Sequence, residues 1–132
     1  MLKYMLDTNI CIFTIRNKPE TIRQRFNLNH QQLCISTITL MELIYGAEKS
    51  RAPERNLAVV EGFTARLTVL DYDIHAATHT GQIRAEQAKA GQPISPYDQM
   101  IAGHARSRGL IVVTNNMREF SRVPGLRAED WV

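Results

Sequence analysis

Apolar residues along this chain fall into short continuous runs, separated by longer stretches in which they recur every three or four positions. The short runs predict strands at residues 3–7, Leu33-Cys34-Ile35, Thr68-Val69-Leu70 and Leu110-Ile111-Val112-Val113, with a last strand near Trp131. The fourth run is wholly apolar, as expected of a central strand buried on both faces of a parallel sheet. The periodic stretches predict helices at 8–16, from Pro19 to about Phe26, from Ile38 to about Lys49 behind a Ser36 or Thr37 cap, and from Pro53 to about Arg66. A long helix follows from Asp73 to Ala90, closed by Gly91, and a loop from Gln92 to Pro96 delivers Asp98 to the start of another that ends at Gly109. Thr114, two asparagines and a short helical turn precede the final strand. Strands alternating with helices predict an α/β fold, an α/β/α sandwich around a central parallel sheet. At 132 residues it suits one domain spanning 1–132, long enough to bury about two-thirds of its unfolded surface.

A parallel sheet binds its ligand beyond the carboxyl ends of its strands, where the winding direction switches. Asp7 ends the first strand there and is followed by the small polar residues Thr8 and Asn9. Thr114 ends another strand, and Glu42 and Asp98 ride early in helices that follow strands, so that with Glu119 the acids can reach one crevice. Lone carboxylates beside apolar segments are costly, which points to a metal. Taken singly, Asp7 and Asp98 are each as well explained as helix caps. Glu42 stands in Ile38-Thr39-Leu40-Met41-Glu42-Leu43-Ile44-Tyr45, apolar nearly all round, where a glutamate is expected only if paired. Its alternative is a capping box with Thr39, which lies too deep in the helix for that role. Glu119, between Arg118 and Phe120, is equally well explained by an exposed salt bridge.

Apolar content of 44% without repeat, linker or low-complexity segment argues against disorder. Cys11 and Cys34 make no disulfide framework, which fits a reducing cytosol, and the first apolar run, interrupted by Asp7 and Asn9, is too short for a signal peptide or membrane span. A soluble, cytoplasmic protein is expected. Net charge is only +3, but twelve of the sixteen basic residues are arginine, clustered at Arg16, Lys18, Arg23 and Arg25, at Lys49, Arg51 and Arg55, at Arg106 and Arg108, and at Arg118 and Arg122. The guanidinium fork suits phosphate, and a positive rim around a carboxylate site would draw in a polyanion. The four histidines lack zinc-ligand spacing and read as helix-face residues. With no G-x-S-x-G, phosphate-binding glycine loop or C-x-x-C, the remaining chemistry is metal and carboxylate.

Leu6-Asp7-Thr8-Asn9, Glu42-Leu43-x-x-Gly46-Ala47, Pro96-Tyr97-Asp98-x-x-Ile101-Ala102 and Thr114-Asn115-Asn116-x-x-Glu119-Phe120, in that order and spacing, resemble PIN-domain nucleases over essentially the whole chain. The length, the closing Arg122-Val123-Pro124-Gly125-Leu126 and the terminal Asp130-Trp131 resemble the VapC toxins of bacterial type II toxin–antitoxin operons. The resemblance implies an Mg²⁺-dependent endoribonuclease, with Mn²⁺ as substitute, that arrests translation and growth until a VapB-type antitoxin blocks it. It implies a homodimer and a toxin–antitoxin hetero-oligomer, with operator DNA contacted only through the antitoxin. In the enteric branch that this chain is most similar to, the substrate class is tRNA, notably initiator tRNA cut in the anticodon stem-loop.

By position, the resemblance makes Asp7, Glu42 and Asp98 the core acids and Glu119 the fourth, with Asn116 neutral where many relatives have aspartate and Ser95 where close relatives often have glycine. Hard oxygen donors with open positions suit magnesium or manganese rather than zinc. Asp7 and Asp98 are assigned as direct ligands, Glu42 as the group that orients water or a second metal, and Glu119 as a holder of metal-associated water. Thr8, Asn9, Thr114 and Asn116 support them by hydrogen bonds. Water attack in line with the departing 3′ oxygen would leave a 5′ phosphate. A haloacid-dehalogenase-like phosphatase would instead want a second aspartate where Asn9 stands. A binding domain of the same fold would tolerate loss of the acids.

Overall fold

The computed structural model describes residues 1–132. Five strands, β1 (Tyr4–Leu6), β2 (Leu33–Ser36), β3 (Thr68–Leu70), β4 (Ile111–Val113) and β5 (Arg127–Glu129), form one parallel sheet in the order β3-β2-β1-β4-β5. Between them lie α1 (Thr8–Arg16), α2 (Glu20–Asn29), α3 (Thr37–Glu48), α4 (Pro53–Thr64), α5 (Ile74–Ala90), α6 (Pro96–Ser107) and α7 (Met117–Phe120). The predicted α/β/α sandwich is the observed fold. The apolar run at 110–113 does become an interior strand, but the middle of the sheet is β1, flanked by β2 and β4.

Strand residues alternate between two cores, as the two-residue period of a strand requires. Tyr4, Leu6, Leu33, Ile35, Ile111 and Val113 face a core closed by residues of α1 to α4, among them Ile10, Ile22, Phe26, Leu43 and Phe63. Met5, Cys34 and Val112 face the other, closed by Ile83 of α5, Ile101, Ala102 and Ala105 of α6, and Phe120 of α7. Helices α5 and α6 approach closely at Gly103, where a Cβ would come within 2.7 Å of the Thr80 backbone nitrogen. No helix is long and apolar enough to cross a membrane.

Helix α3, apolar nearly all round in sequence, is not buried all round. Only Thr39, Leu43 and Ala47 are buried, four residues apart on one stripe, while Met41, Ile44 and Tyr45 are exposed. An apolar helix in one chain therefore presents an open face. Burial of the helix is not the reason that Glu42 needs a partner, and its environment has to be read from the site itself.

Candidate active site

The winding direction reverses between β1 and β4, which places the ligand crevice beyond their carboxyl ends. Register aligns Leu6 with Val113, so Asp7 and Thr114, each one residue further on, stand side by side, and the Asp7 N–H donates to the Val113 carbonyl at 3.0 Å. Asp7 is also the cap of α1: one carboxylate oxygen accepts from the Ile10 N–H at 2.9 Å. The cap and the site readings of Asp7 are thus one arrangement, because a strand that ends where a helix begins puts its last acid at both. Asp98 is not a cap. Ser95 caps α6, accepting from the Asp98 N–H at 3.3 Å, and this leaves the Asp98 carboxylate free in the first helical turn.

A cavity of about 210 Å³ lies between these ends, lined by Asp7, Thr8, Asn9, Glu42, Ser95, Asp98 and Asn116 and by no hydrophobic residue. Three of the expected acids meet there. Glu42 finds the partner that its sequence context called for: the Thr8 hydroxyl donates to Oε1 at 2.6 Å, and the Thr39 hydroxyl lies 3.4 Å from that of Thr8. Thr39 is therefore a buried support beneath the site rather than a cap, and the α3 cap is Ser36, whose hydroxyl accepts from the Ile38 N–H. Thr114 is fully buried; it hydrogen-bonds Asp7 and accepts from the Asn116 N–H at 2.8 Å.

Glu119 does not line the cavity, yet it raises the Asp98 pKa through its charge. It makes no ion pair in this structure, where the ion pair present joins Arg25 to Glu129 at 3.7 Å. Asn116 does line the cavity, at the position before α7. Ser95, absent from the expected set of supporting residues, both caps the Asp98 helix and faces the cavity. Its serine-proline step before a helix was the signal for it.

Electrostatics agree with a cation site. Burial pushes the Asp7 carboxyl up to about 6, against the lowering by hydrogen bonds from Thr114 and Ile10, and the charges of Asp98 and Glu42 push the same way as burial. Burial likewise raises Asp98, opposed by Ser95 and reinforced by Glu119 and Glu42. Carboxylates held together without a positive partner are destabilised as anions, and a divalent cation removes that penalty. The donor set fits such an ion: hard oxygens and amides only. No three His, Cys, Asp or Glu side chains form a preformed cage, so an ion here would complete its shell with water, as magnesium habitually does.

The arginine clusters sort by contact. Arg106 is consumed within the fold, donating to His79, Gln82 and the Pro124 carbonyl, and Arg25 lies over the Trp131 ring at 4.9 Å. Arg16 and Lys49 instead line a groove of about 360 Å³ floored by Ile12, Ile15, Leu43, Val59 and Val60, which shares Glu42 with the acid cavity. Of the histidines, His104 departs from the helix-face reading: it is fully buried in α6.

Comparison with known proteins identifies the family of the fold. The PIN domain family matches residues 4–126. A tRNA(fMet)-specific endonuclease VapC of Salmonella typhimurium is 77% identical over 131 residues, 99% of each chain, and a ribonuclease VapC2 of Haemophilus influenzae is 58% identical over 132 residues, all of both. The crystal structure of DNA-bound VapBC from Salmonella typhimurium matches at a TM-score of 0.96 and 76% identity, covering both chains fully. VapBC2 of Rickettsia felis, bound to a promoter DNA fragment, matches at 0.93 and 35% identity over 99% of this chain and 100% of that one. With the family match, the fold and the full-length identity in agreement, the chain belongs to the VapC ribonucleases of the PIN-domain family.

Proposed function

We propose that this protein is the toxin of a type II toxin–antitoxin pair, an Mg²⁺-dependent endoribonuclease that cuts initiator tRNA in its anticodon stem-loop, with Mn²⁺ able to substitute. The observation that carries the reading is the acid-lined, wholly polar cavity at the switch between β1 and β4, in which burial and mutual repulsion hold Asp7 near 6. The 77% identity to an endonuclease named for tRNA(fMet) supports the choice of substrate.

Asp7 and Asp98 would hold the ion, which when bound neutralises charge on the phosphate and acidifies a water. Thr114 and the Ile10 N–H pin Asp7, and Ser95 starts the helix that presents Asp98. Glu42, fixed by the Thr8 hydroxyl, orients the attacking water opposite the departing 3′ oxygen and takes its proton. Asn9 and Asn116, facing the cavity, donate hydrogen bonds to phosphoryl oxygens or to the acids, and Glu119 adds negative charge behind Asp98. The products carry a 5′ phosphate and a 3′ hydroxyl.

The apolar groove supports control by a VapB-type antitoxin, because a segment lying in it would lie against Glu42, which the groove shares with the acid cavity. Three solved relatives, at 76%, 35% and 36% identity, are VapBC complexes, two of them bound to DNA. A toxin homodimer, combined with antitoxin into a hetero-oligomer in the cytoplasm, completes the reading; operator DNA is contacted through the antitoxin. The direct test is cleavage of an initiator tRNA transcript with Mg²⁺ and with excess EDTA. One cut in the anticodon stem-loop, absent in EDTA, is expected; equal cleavage in chelator would remove the metal from the reading.

A further inference from the structure

His104 Nδ1 lies 2.8 Å from the Ser36 hydroxyl, 68 residues away in sequence. Ser36 ends β2 and caps α3, the helix that carries Glu42; His104 belongs to α6, the helix that carries Asp98. Each end of this bond is six residues from its acid, about 9 Å along an α-helix. The two helices belong to opposite layers of the sandwich, Leu43 of α3 packing in one core and Ile101 of α6 in the other. The bond therefore ties one layer to the other.

The ring is held for this contact and for little else. It is fully buried, its Nε2 has no hydrogen-bond partner, and Tyr72 covers it edge-on at 5.7 Å between centroids. Tyr72 is itself fixed at both ends, its N–H donating to Thr37 Oγ1 at 3.1 Å and its hydroxyl to Thr80 Oγ1 at 2.8 Å. Burial pushes the His104 pKa down, so the ring is neutral. Nδ1 and Ser36 Oγ share one hydrogen bond, and Nε2 is left without a partner whichever of the two donates. Ser36 Oγ also accepts from the Ile38 N–H at 3.1 Å, so one hydroxyl joins α6 to the first turn of α3. An apolar residue in the same space would avoid the orphaned Nε2, and a polar ring there calls for a reason other than stability.

We propose that His104 is a positioning residue for RNA cleavage, setting the separation of Glu42 from Asp98 through its hydrogen bond to Ser36. The inference rests on the reading that these two acids share the cleavage site. A misplacement of about 1 Å in a catalytic group can cost up to about a hundredfold in rate, and a change carried through two helices should cost less.

The test compares H104F, H104N and S36A with wild type, on an initiator tRNA transcript, by steady-state cleavage and thermal melting. Phenylalanine fills the site without the bond, asparagine keeps an amide that can hydrogen-bond the Ser36 hydroxyl where Nδ1 stands, and alanine breaks the bond from its other end. The expected result is an H104F protein that melts no lower than wild type, with kcat down about tenfold and KM within about twofold. S36A should lose kcat to a similar degree while melting lower for want of its cap. H104N should recover most of the rate although it leaves a void. A structural role alone would make rate follow melting temperature across the series. A folded H104F or S36A with wild-type kcat overturns the proposal, as does an H104N no faster than H104F. Glu42→Gln and Asp98→Asn separate the two readings: if they still cleave, the acid-site assignment falls, and if they are inactive while H104F is not, only this inference falls.

Discussion

Replacing Asp7 by asparagine should abolish cleavage and at the same time stabilise the metal-free protein. Folding lifts that carboxyl from 3.8 to about 6, mainly through burial; at about 1.36 kcal/mol per pH unit, keeping it ionised at pH 7.5 costs the fold about 3 kcal/mol. Between those two values the unfolded chain has lost its proton and the folded chain has not. The folded state binds the extra proton, so the contribution falls as pH rises from about 4 to about 6 and then stays level. Asparagine removes the charge and retains the cap, because its carbonyl can still accept from the Ile10 N–H. Its amide cannot accept from Thr114 as a carboxylate oxygen does, which returns about 1–2 kcal/mol. The net gain is about 1–2 kcal/mol at pH 7.5, a rise in melting temperature of about 5 °C for a chain of this size. The assay is a pair of melts in EDTA across pH 4.5 to 7.5, alongside RNA cleavage with Mg²⁺. The advantage should shrink as pH falls and be gone by about pH 4.5, where wild type is itself protonated. A mutant less stable than wild type at pH 7.5, or a gain that ignores pH, refutes the electrostatic argument, and an active mutant refutes the catalytic role.

For the fourth acid, Glu119→Gln should lower kcat about tenfold or more, and Asn116→Ala by less, since of these two only Glu119 brings charge to Asp98; the reverse ranking in single-turnover cleavage would give the role to the residue that lines the cavity. RNA binding by the inactive Asp7→Asn protein should weaken steeply with salt through counterion release from Arg16, Lys49 and their neighbours. A filter-binding constant that stays level from about 50 to 200 mM salt would contradict that. Expression of the wild-type chain alone should arrest growth and co-expression with its antitoxin should restore it; normal growth with abundant folded wild-type protein would count against a toxin.

Much of the fold was legible in the sequence because its signals are local. Apolar runs and three-to-four-residue periods located β1 to β4 and the longer helices to within a few residues, while β5, Arg127-Ala128-Glu129, is no apolar run and falls just before the Trp131 position expected for it; strand–helix alternation points to a parallel sheet with helices on both faces. Of the site, the order of the acids along the chain already placed Asp7, Glu42 and Asp98 at strand ends and helix starts, where such a sheet must converge. What the sequence could not contain was which faces meet. The apolar residues of α3 announce burial, yet Met41, Ile44 and Tyr45 are exposed, because only packing decides which side of a helix the core takes. Arg106 and Arg16 look alike in one dimension, and only contacts show that one braces the fold while the other borders the groove. The Thr8–Glu42 and Ser36–His104 bonds join residues 34 and 68 positions apart. Hydrogen bonds of a few ångströms between distant segments exist only once the sheet has brought the two helices together, and local pattern carries no trace of them.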